Sequence, residues 1–223
     1  MKKILYVTIM SMCLFGVSAQ ENEEIKLSGF YLGGGVNVNY DMAKVYNRDA
    51  WALNNGSTVP AGSKIGRQTD LSYGIHALLG YGHLFANRIF LGIEQQVGVA
   101  HHPSQSKNYI AEGKVDGQSF KPWEFTTLAR LGYGFESFPG IAYVSAGVKV
   151  LKINSSYDDK NICRPVFGIG YQHGLSPHWS IRGDVLYTHI SKVDFAEKMN
   201  GMQFNQKGKG HRISAMVTIA YTF

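Results

Sequence analysis

The last twelve residues constrain this chain most. Ile213, Ala215, Val217, Ile219, Tyr221 and Phe223 alternate with Arg212, Ser214, Met216, Thr218, Ala220 and Thr222. Successive side chains of an extended strand point to opposite faces, so one face here is apolar and the other polar or small. The period recurs upstream. Phe30, Leu32, Gly34, Val36, Val38 and Tyr40 stand on one face of a first strand, against Gly33, Gly35, Asn37 and Asn39 on the other. Leu71, Tyr73, Ile75, Ala77, Leu79 and Tyr81 make a second apolar face, and Trp123, Phe125, Thr127, Ala129, Leu131, Tyr133 and Phe135 a fourth.

The same test along the whole chain predicts eight strands, at 29–42, 70–83, 88–100, 121–135, 141–153, 162–174, 178–191 and 210–223. The connections between them are 43–69, 84–87, 101–120, 136–140, 154–161, 175–177 and 192–209, and every odd one is longer than every even one. The short links carry turn chemistry: Phe138-Pro-Gly140, Ser176-Pro177 and Ala86-Asn87.

Residues 1–19 read differently. Lys2 and Lys3 precede an apolar run from Ile4 to Val17, and small residues Ser18 and Ala19 come before Gln20. That is the pattern of a secretory signal peptide cleaved after Ala19, too short to span a bilayer as a helix, which needs about 20 apolar residues. Its removal lowers the formal net charge from +6 to +4, because Lys2 and Lys3 leave with it. Residues 20–223 keep a single cysteine, Cys163, so neither an intramolecular disulfide nor a cysteine-rich metal site is available. The sequence pI is near 9.2. Charge is nevertheless spread without a dense basic cluster, and no nucleic-acid motif occurs, so a nucleic-acid partner is not expected. An anionic lipopolysaccharide surface fits the same balance.

Period alone does not separate inside from outside. A soluble β-sandwich or lipocalin-like barrel would bury the apolar face and leave the polar one wet. Three features favour a membrane. Aromatics gather at strand ends (Phe30, Tyr31, Tyr40, Tyr73, Tyr81, Trp123, Tyr133, Phe135, Trp179, Tyr187 and Tyr221), as interfacial girdles require. The polar faces carry too many charges for a dry core, and the final residue is Phe223. Mean hydropathy is only -0.13, which a barrel resolves, because it shows lipid only alternate residues while pairing every backbone group. The expectation is therefore an all-β fold, an eight-stranded antiparallel up-and-down transmembrane β-barrel over residues 20–223. Short turns and both termini lie on the periplasmic side, and the protein resides in the outer membrane of a Gram-negative cell.

Several stretches resemble the opacity-protein and OmpA-like porin superfamily of outer-membrane barrels. They are Gly29-Phe-Tyr-Leu-Gly-Gly-Gly35, Gly80-Tyr-Gly-His83 with Phe90-Leu-Gly-Ile-Glu94, Thr127-Leu-Ala-Arg-Leu-Gly-Tyr-Gly-Phe135 with Ala142-Tyr-Val-Ser-Ala-Gly-Val148, and the run from Gly168 to Tyr187. The ending Tyr221-Thr-Phe223 is similar to that family's barrel-assembly signal, which implies the assembly machinery as a partner.

On this register the lumen receives Asp70, Glu94, Glu124, Arg130, Lys149, Arg164, Arg182, Asp184 and Arg212, four acids facing five bases. An eight-stranded barrel is just wide enough for side chains to fill. Unpaired buried charges are costly, so these groups are expected to form a paired polar plug rather than an ion pathway.

Near the outer end of strand seven, Thr188-His-Ile-Ser191 puts His189 and Ser191 on the lipid face if Val185 and Tyr187 face lipid. A His-x-Ser pair there is similar to the signature of outer-membrane lipid A deacylases. That resemblance implies His189 as general base and Ser191 as nucleophile. This chain departs from it at Lys192, where that motif has Asn, and offers only Asp194 or Glu197 as orienting acid. The plainer reading is the polar lip of a strand leaving the membrane. His101, His102, His76, His83, His173, His178 and His211 belong to different strands or opposite ends, so interfacial histidines are expected rather than a metal or haem site, and no cofactor. Loop one (Asn54-Asn-Gly56, Pro60, Gly62, Gly66) and loop two (His102-Pro-Ser104, Gly113, Gly117) are polar and turn-rich. The functional expectation is a non-enzymatic barrel. It contributes to envelope structure, is embedded in outer-membrane lipid and lipopolysaccharide, and meets a host or cell-surface ligand through its loops. The alternatives are the lipid A acyl hydrolase and a small-solute porin.

Overall fold

Alternation with no long apolar run leaves the backbone one way to satisfy itself in hydrocarbon, which is a ladder closed on itself. The computed structural model takes that form. It describes residues 25–47, 51–52, 58–101, 108–110, 113–115, 119–154, 159–199 and 202–223, so residues 1–19, expected as a signal peptide, lie outside the described residues. Twelve strands follow in chain order: β1 (Gly29–Asn47), β2 (Trp51–Ala52), β3 (Thr58–Val59), β4 (Lys64–Leu84), β5 (Ile89–His101), β6 (Asn108–Ile110), β7 (Gly113–Val115), β8 (Ser119–Gly134), β9 (Gly140–Asn154), β10 (Asp159–Gly174), β11 (Trp179–Met199) and β12 (Met202–Thr222). Eight of them close an antiparallel barrel in the order β1, β12, β11, β10, β9, β8, β5, β4. The short hairpins β2–β3 and β6–β7 lie within the first two long connections.

Closure is made by β1 against β12, from Tyr31 opposite Thr222 to Asn47 opposite Gln206, and by the Phe223 amide donating to the Phe30 carbonyl at 2.9 Å. The faces fall as the alternation predicts. Val36, Ile75, Ile93, Leu131, Val144, Ile169 and Ile219 are exposed on the outer wall, while Asn37, Asn39, Thr126, Gln172, Ser214 and Thr218 are buried inside. From Phe30 to Tyr40 the outer face of β1 is apolar. Those ten steps span about 34 Å of strand, or about 26 Å across a membrane at the usual tilt, matching the apolar band of such barrels. Aromatic pairs mark the end with the short turns: Phe30 lies 4.9 Å from Tyr81, Trp179 5.1 Å from Tyr221, and Phe135 4.7 Å from Phe138.

The strands run past their predicted ends on the other side. Residues 192–209, expected as a connection, are mostly ladder: β11 and β12 stay paired up to Met199 opposite Met202. The expectation that every odd connection exceeds every even one therefore fails at the last hairpin, and also at 155–158, which is shorter than the turn 135–139. The cause is that backbone pairing can continue once a ladder has left the membrane, where outward apolar side chains are no longer required. A bulge interrupts this pair between Ile190 and Val193, leaving Ser191 and Lys192 opposite Lys209. Pairing of β10 with β11 begins only at Val166 opposite Thr188, just after Pro165, which has no amide to donate.

The segment before β1 closes the end with the short turns. The Lys26 amide donates to the Pro177 carbonyl at 3.0 Å, Ser28 Oγ accepts from the Leu84 amide at 2.7 Å, and Leu27 and Leu84 pack on buried Phe90, Ile141 and Tyr143. A closed ladder of this kind resists dodecyl sulfate, so unboiled protein is expected to migrate at a different apparent mass from boiled protein. Identical mobility before and after boiling would contradict the barrel.

Candidate functional site

Inward positions of neighbouring strands meet across the lumen in layers. Above the apolar end just described comes a layer centred on Glu94 of β5. Its carboxylate accepts from Tyr31 Oη (2.9 Å), Gln96 Nε2 (2.7 Å), Arg130 Nη2 (2.8 Å) and both terminal nitrogens of Arg182 (2.7 and 3.1 Å). Arg182 also donates through Nε to Asp184 at 3.0 Å, and Asp184 accepts from Tyr143 Oη at 2.6 Å. Arg130 lies 3.8 Å from Asp184 and 4.7 Å above the Tyr143 ring. Its Nε and Nη1 have no hydrogen-bond partner among the described residues, and the ring face supplies the compensating attraction. Two carboxylates and two guanidiniums thus share one buried layer, with Glu94 and Arg182 each 1% exposed.

Glycine makes room for the rings in this layer. Tyr31 lies over Gly80 and Tyr143 over Gly170, on the strands beside them, and a Cβ at either position would overlap the ring. These contacts give a packing reason for two of the glycines in the motifs noted above.

Leu128, Val166, Leu186 and Met216 form the next layer, all buried. Along β8 this layer falls between Arg130 and Glu124, and along β12 it follows Arg212. The second charged layer lies beyond it. Arg212 donates through Nε and Nη2 to Asp41 at 2.6 and 2.9 Å and through Nη1 to Glu124, which also takes the Lys149 ammonium at 3.0 Å. A cavity of about 20 Å³ lies beside it, lined in part by Asn39, His76, Gln96, Glu124 and Lys149, and this is room for about one water molecule. His76 Nε2 is 2.8 Å from Thr218 Oγ1.

Of the predicted lumen residues, Glu94, Arg130, Arg182 and Asp184 meet in the first layer and Glu124, Lys149 and Arg212 in the second. Arg164 joins neither: its Nη1 donates to the Cys163 carbonyl at 3.1 Å, and Nε has no partner among the described residues. Asp70 is half-buried at the outer end of the inward face, where Oδ1 accepts from the Leu71 amide at 2.9 Å. Sequence reasoning missed Asp41, although it continues the inward face of Asn37 and Asn39. It also missed Tyr31, which the girdle pattern counted among outward aromatics, and Tyr143, an uncharged residue of the inward face that the search for charges passed over.

His189 and Ser191 both lie exposed on the outer wall. His189 Nδ1 stands 3.3 Å from His211 Nδ1, and the Tyr187 hydroxyl also reaches His211 Nδ1. Beyond the bulge Asp194 pairs in register with Lys207 and Glu197 with Phe204, and the side chains of these two acids lie outside the described residues. Among the described residues no three His, Cys, Asp or Glu side chains are placed to hold a metal ion. His102 and most of loop two fall outside them.

A profile of the outer membrane protein β-barrel domain matches residues 9–220. OprG of Pseudomonas aeruginosa superposes with a TM-score of 0.52 at 13% identity, over 91% of this chain and 99% of that one, which supports the fold alone. Neisserial surface protein A matches at 14% identity over 88% and 98% (TM-score 0.44), and Ail, the attachment invasion locus protein of Yersinia pestis, at 13% over 86% and 99% (TM-score 0.39). No curated protein sequence matches significantly.

Removing one member of a desolvated network strands its partners. Glu94→Ala leaves Arg130 and Arg182 short of their main acceptor and is expected to cost about 3–5 kcal/mol. Arg88, whose pair with Glu136 (3.0 Å) is exposed, should lose under about 1 kcal/mol on replacement by Ala. Urea unfolding in detergent, followed by tryptophan fluorescence, compares them. Equal losses would contradict the Glu94 layer as a stabilising network.

Proposed function

Since the chain belongs to the outer membrane protein β-barrel family, we propose that it is a non-enzymatic envelope barrel with a plugged lumen that meets other surfaces through its extracellular loops. The observation that carries this reading is the stack across the lumen: the Glu94 layer, the apolar Leu128 layer and the Arg212 layer, with a neighbouring cavity for about one water. An ion moving along the axis would have to break bidentate, buried ion pairs and then cross an apolar layer, and each step is costly in a low-dielectric interior.

Several features support the surface and partner assignments. The hairpins β2–β3 and β6–β7 extend the first two long connections, where exposed chain on a rigid scaffold offers recognition surface. Tyr221 lies on the outer wall and Phe223, 68% exposed, ends beside Phe30, in reach of an assembly factor acting on the last strand. The outward apolar band is the surface for outer-membrane lipid.

A second reading, the lipid A acyl hydrolase, draws on one observation: His189 and Ser191 share the outer wall at the end remote from the short turns. Against it, the described neighbour of His189 Nδ1 is an imidazole, where a base of this type takes an orienting carboxylate.

Two measurements separate the readings. In planar bilayers the reconstituted protein should give little or no steady conductance, and large stable channels would make it a porin. Lipid A from cells expressing the intact protein or His189→Ala should be identical by mass spectrometry. Loss of an acyl chain only with His189 present would establish the enzyme.

A further inference from the structure

The outer wall carries a basic patch just beyond the apolar band. On β12 the outward residues past Ile213 are His211 and Lys209, in register with Met42 and Lys44 of β1, and His211 is in register with His189 of β11. Lys44, Lys209 and His189 are exposed and His211 half-exposed. Lys44 lies four residues beyond Tyr40, the last aromatic of the band on β1, and so about 10 Å further out at the usual strand tilt, at the headgroup level.

Two properties make this more than a scatter of surface charge. Lys44 and Lys209 stand directly opposite each other on adjacent strands, an arrangement that destabilises a ladder unless something neutralises it. Among the described residues neither lysine is in an ion pair, and the polar company of this patch is aromatic and imidazole. The Lys209 ammonium lies 5.6 Å above the Tyr46 ring, His211 stacks 5.7 Å from Tyr187, and the His189 and His211 rings are 5.0 Å apart. With Nδ1 of each imidazole turned toward the other, the ring that accepts there carries its proton on Nε2.

We propose that Lys44, Lys209, His189 and His211 form a docking site on the outer wall for a phosphate borne by a lipid of the outer leaflet, with acyl chains lying against Ile213, Tyr187 and Tyr40 below. The two ammonium groups supply charge-assisted hydrogen bonds to phosphate oxygens, and the imidazole that accepts at Nδ1 supplies a directional one through its Nε2–H. A lipid-borne phosphate fits better than a free anion because the patch continues without a break into the apolar band. The site rests on the orientation that places the long connections outside the cell.

Native mass spectrometry of the detergent-folded protein with bisphosphorylated lipid A, and with the same lipid enzymatically dephosphorylated, tests it. The phosphorylated form should be retained about ten-fold better. Lys44→Gln with Lys209→Gln should lose most of that preference, and Lys209→Glu alone should weaken it too. Lys26→Gln with Arg88→Gln, at the opposite end, should keep it. Inorganic phosphate at millimolar concentration should not displace the lipid. Equal retention of both lipids, wild-type retention by the double variant, or displacement by inorganic phosphate would each overturn the site. A thiol label that does not cross membranes, applied to intact cells carrying Ala61→Cys with Cys163→Ser, checks the orientation separately. Labelling of the introduced thiol together with failed lipid retention overturns the site alone. Labelling only after permeabilisation overturns the orientation and the site with it.

Discussion

Backbone pairing in hydrocarbon is the constraint from which the rest follows. An amide or carbonyl left unpaired in lipid costs several kcal/mol, so strands that cross must find partners on both edges. Eight strands close with a bore that side chains can fill. Closure then divides every strand into a lipid face and a lumen face, and the lumen face has to be packed with whatever its polar residues can pair among themselves. The ladder from Tyr31 opposite Thr222 to Asn47 opposite Gln206 is therefore the condition for everything inside it.

The interior resolves a conflict between polarity and dryness by alternating layers. Glu94 concentrates five hydrogen bonds on one carboxylate, and this offsets the burial of the Arg130 and Arg182 guanidiniums. Leu128, Val166, Leu186 and Met216 then fill the bore where no charge is needed, and Arg212 gathers Asp41 and Glu124 beyond them. Such networks contribute little net stability over an apolar filling, but a missing member is expensive, which fixes register and rotamers. Tyr31 over Gly80 and Tyr143 over Gly170 show how an inward aromatic can fit in so narrow a bore.

Much of this was legible in the sequence because period two is a physical requirement wherever one face meets lipid. The lipid faces of β1, β4, β8 and β12 and the inward placement of Glu94, Arg130, Arg182 and Arg212 follow from it. What was not legible lies where the requirement lapses. Between 192 and 209 an outward apolar face is no longer required, and β11 and β12 stay paired past the predicted strand ends. Asp41 sits at the same boundary, one residue past Tyr40, where the band ends. Pairing across the lumen is equally silent: Arg182 and Glu94 are 88 residues apart, and no local pattern links them. Arg164 shared the inward period yet found no acid, because period assigns a face and not a partner.

The most direct test of a filled lumen is the reactivity of a thiol placed inside it. Thr218→Cys, at a fully buried position in register with Arg182 of the Glu94 layer, in a Cys163→Ser background, would be exposed to a small water-soluble thiosulfonate in folded, bilayer-inserted protein. A packed lumen predicts negligible modification until the barrel is unfolded. Rapid modification of the folded protein would mean that water and small solutes reach the layer freely, and would contradict it.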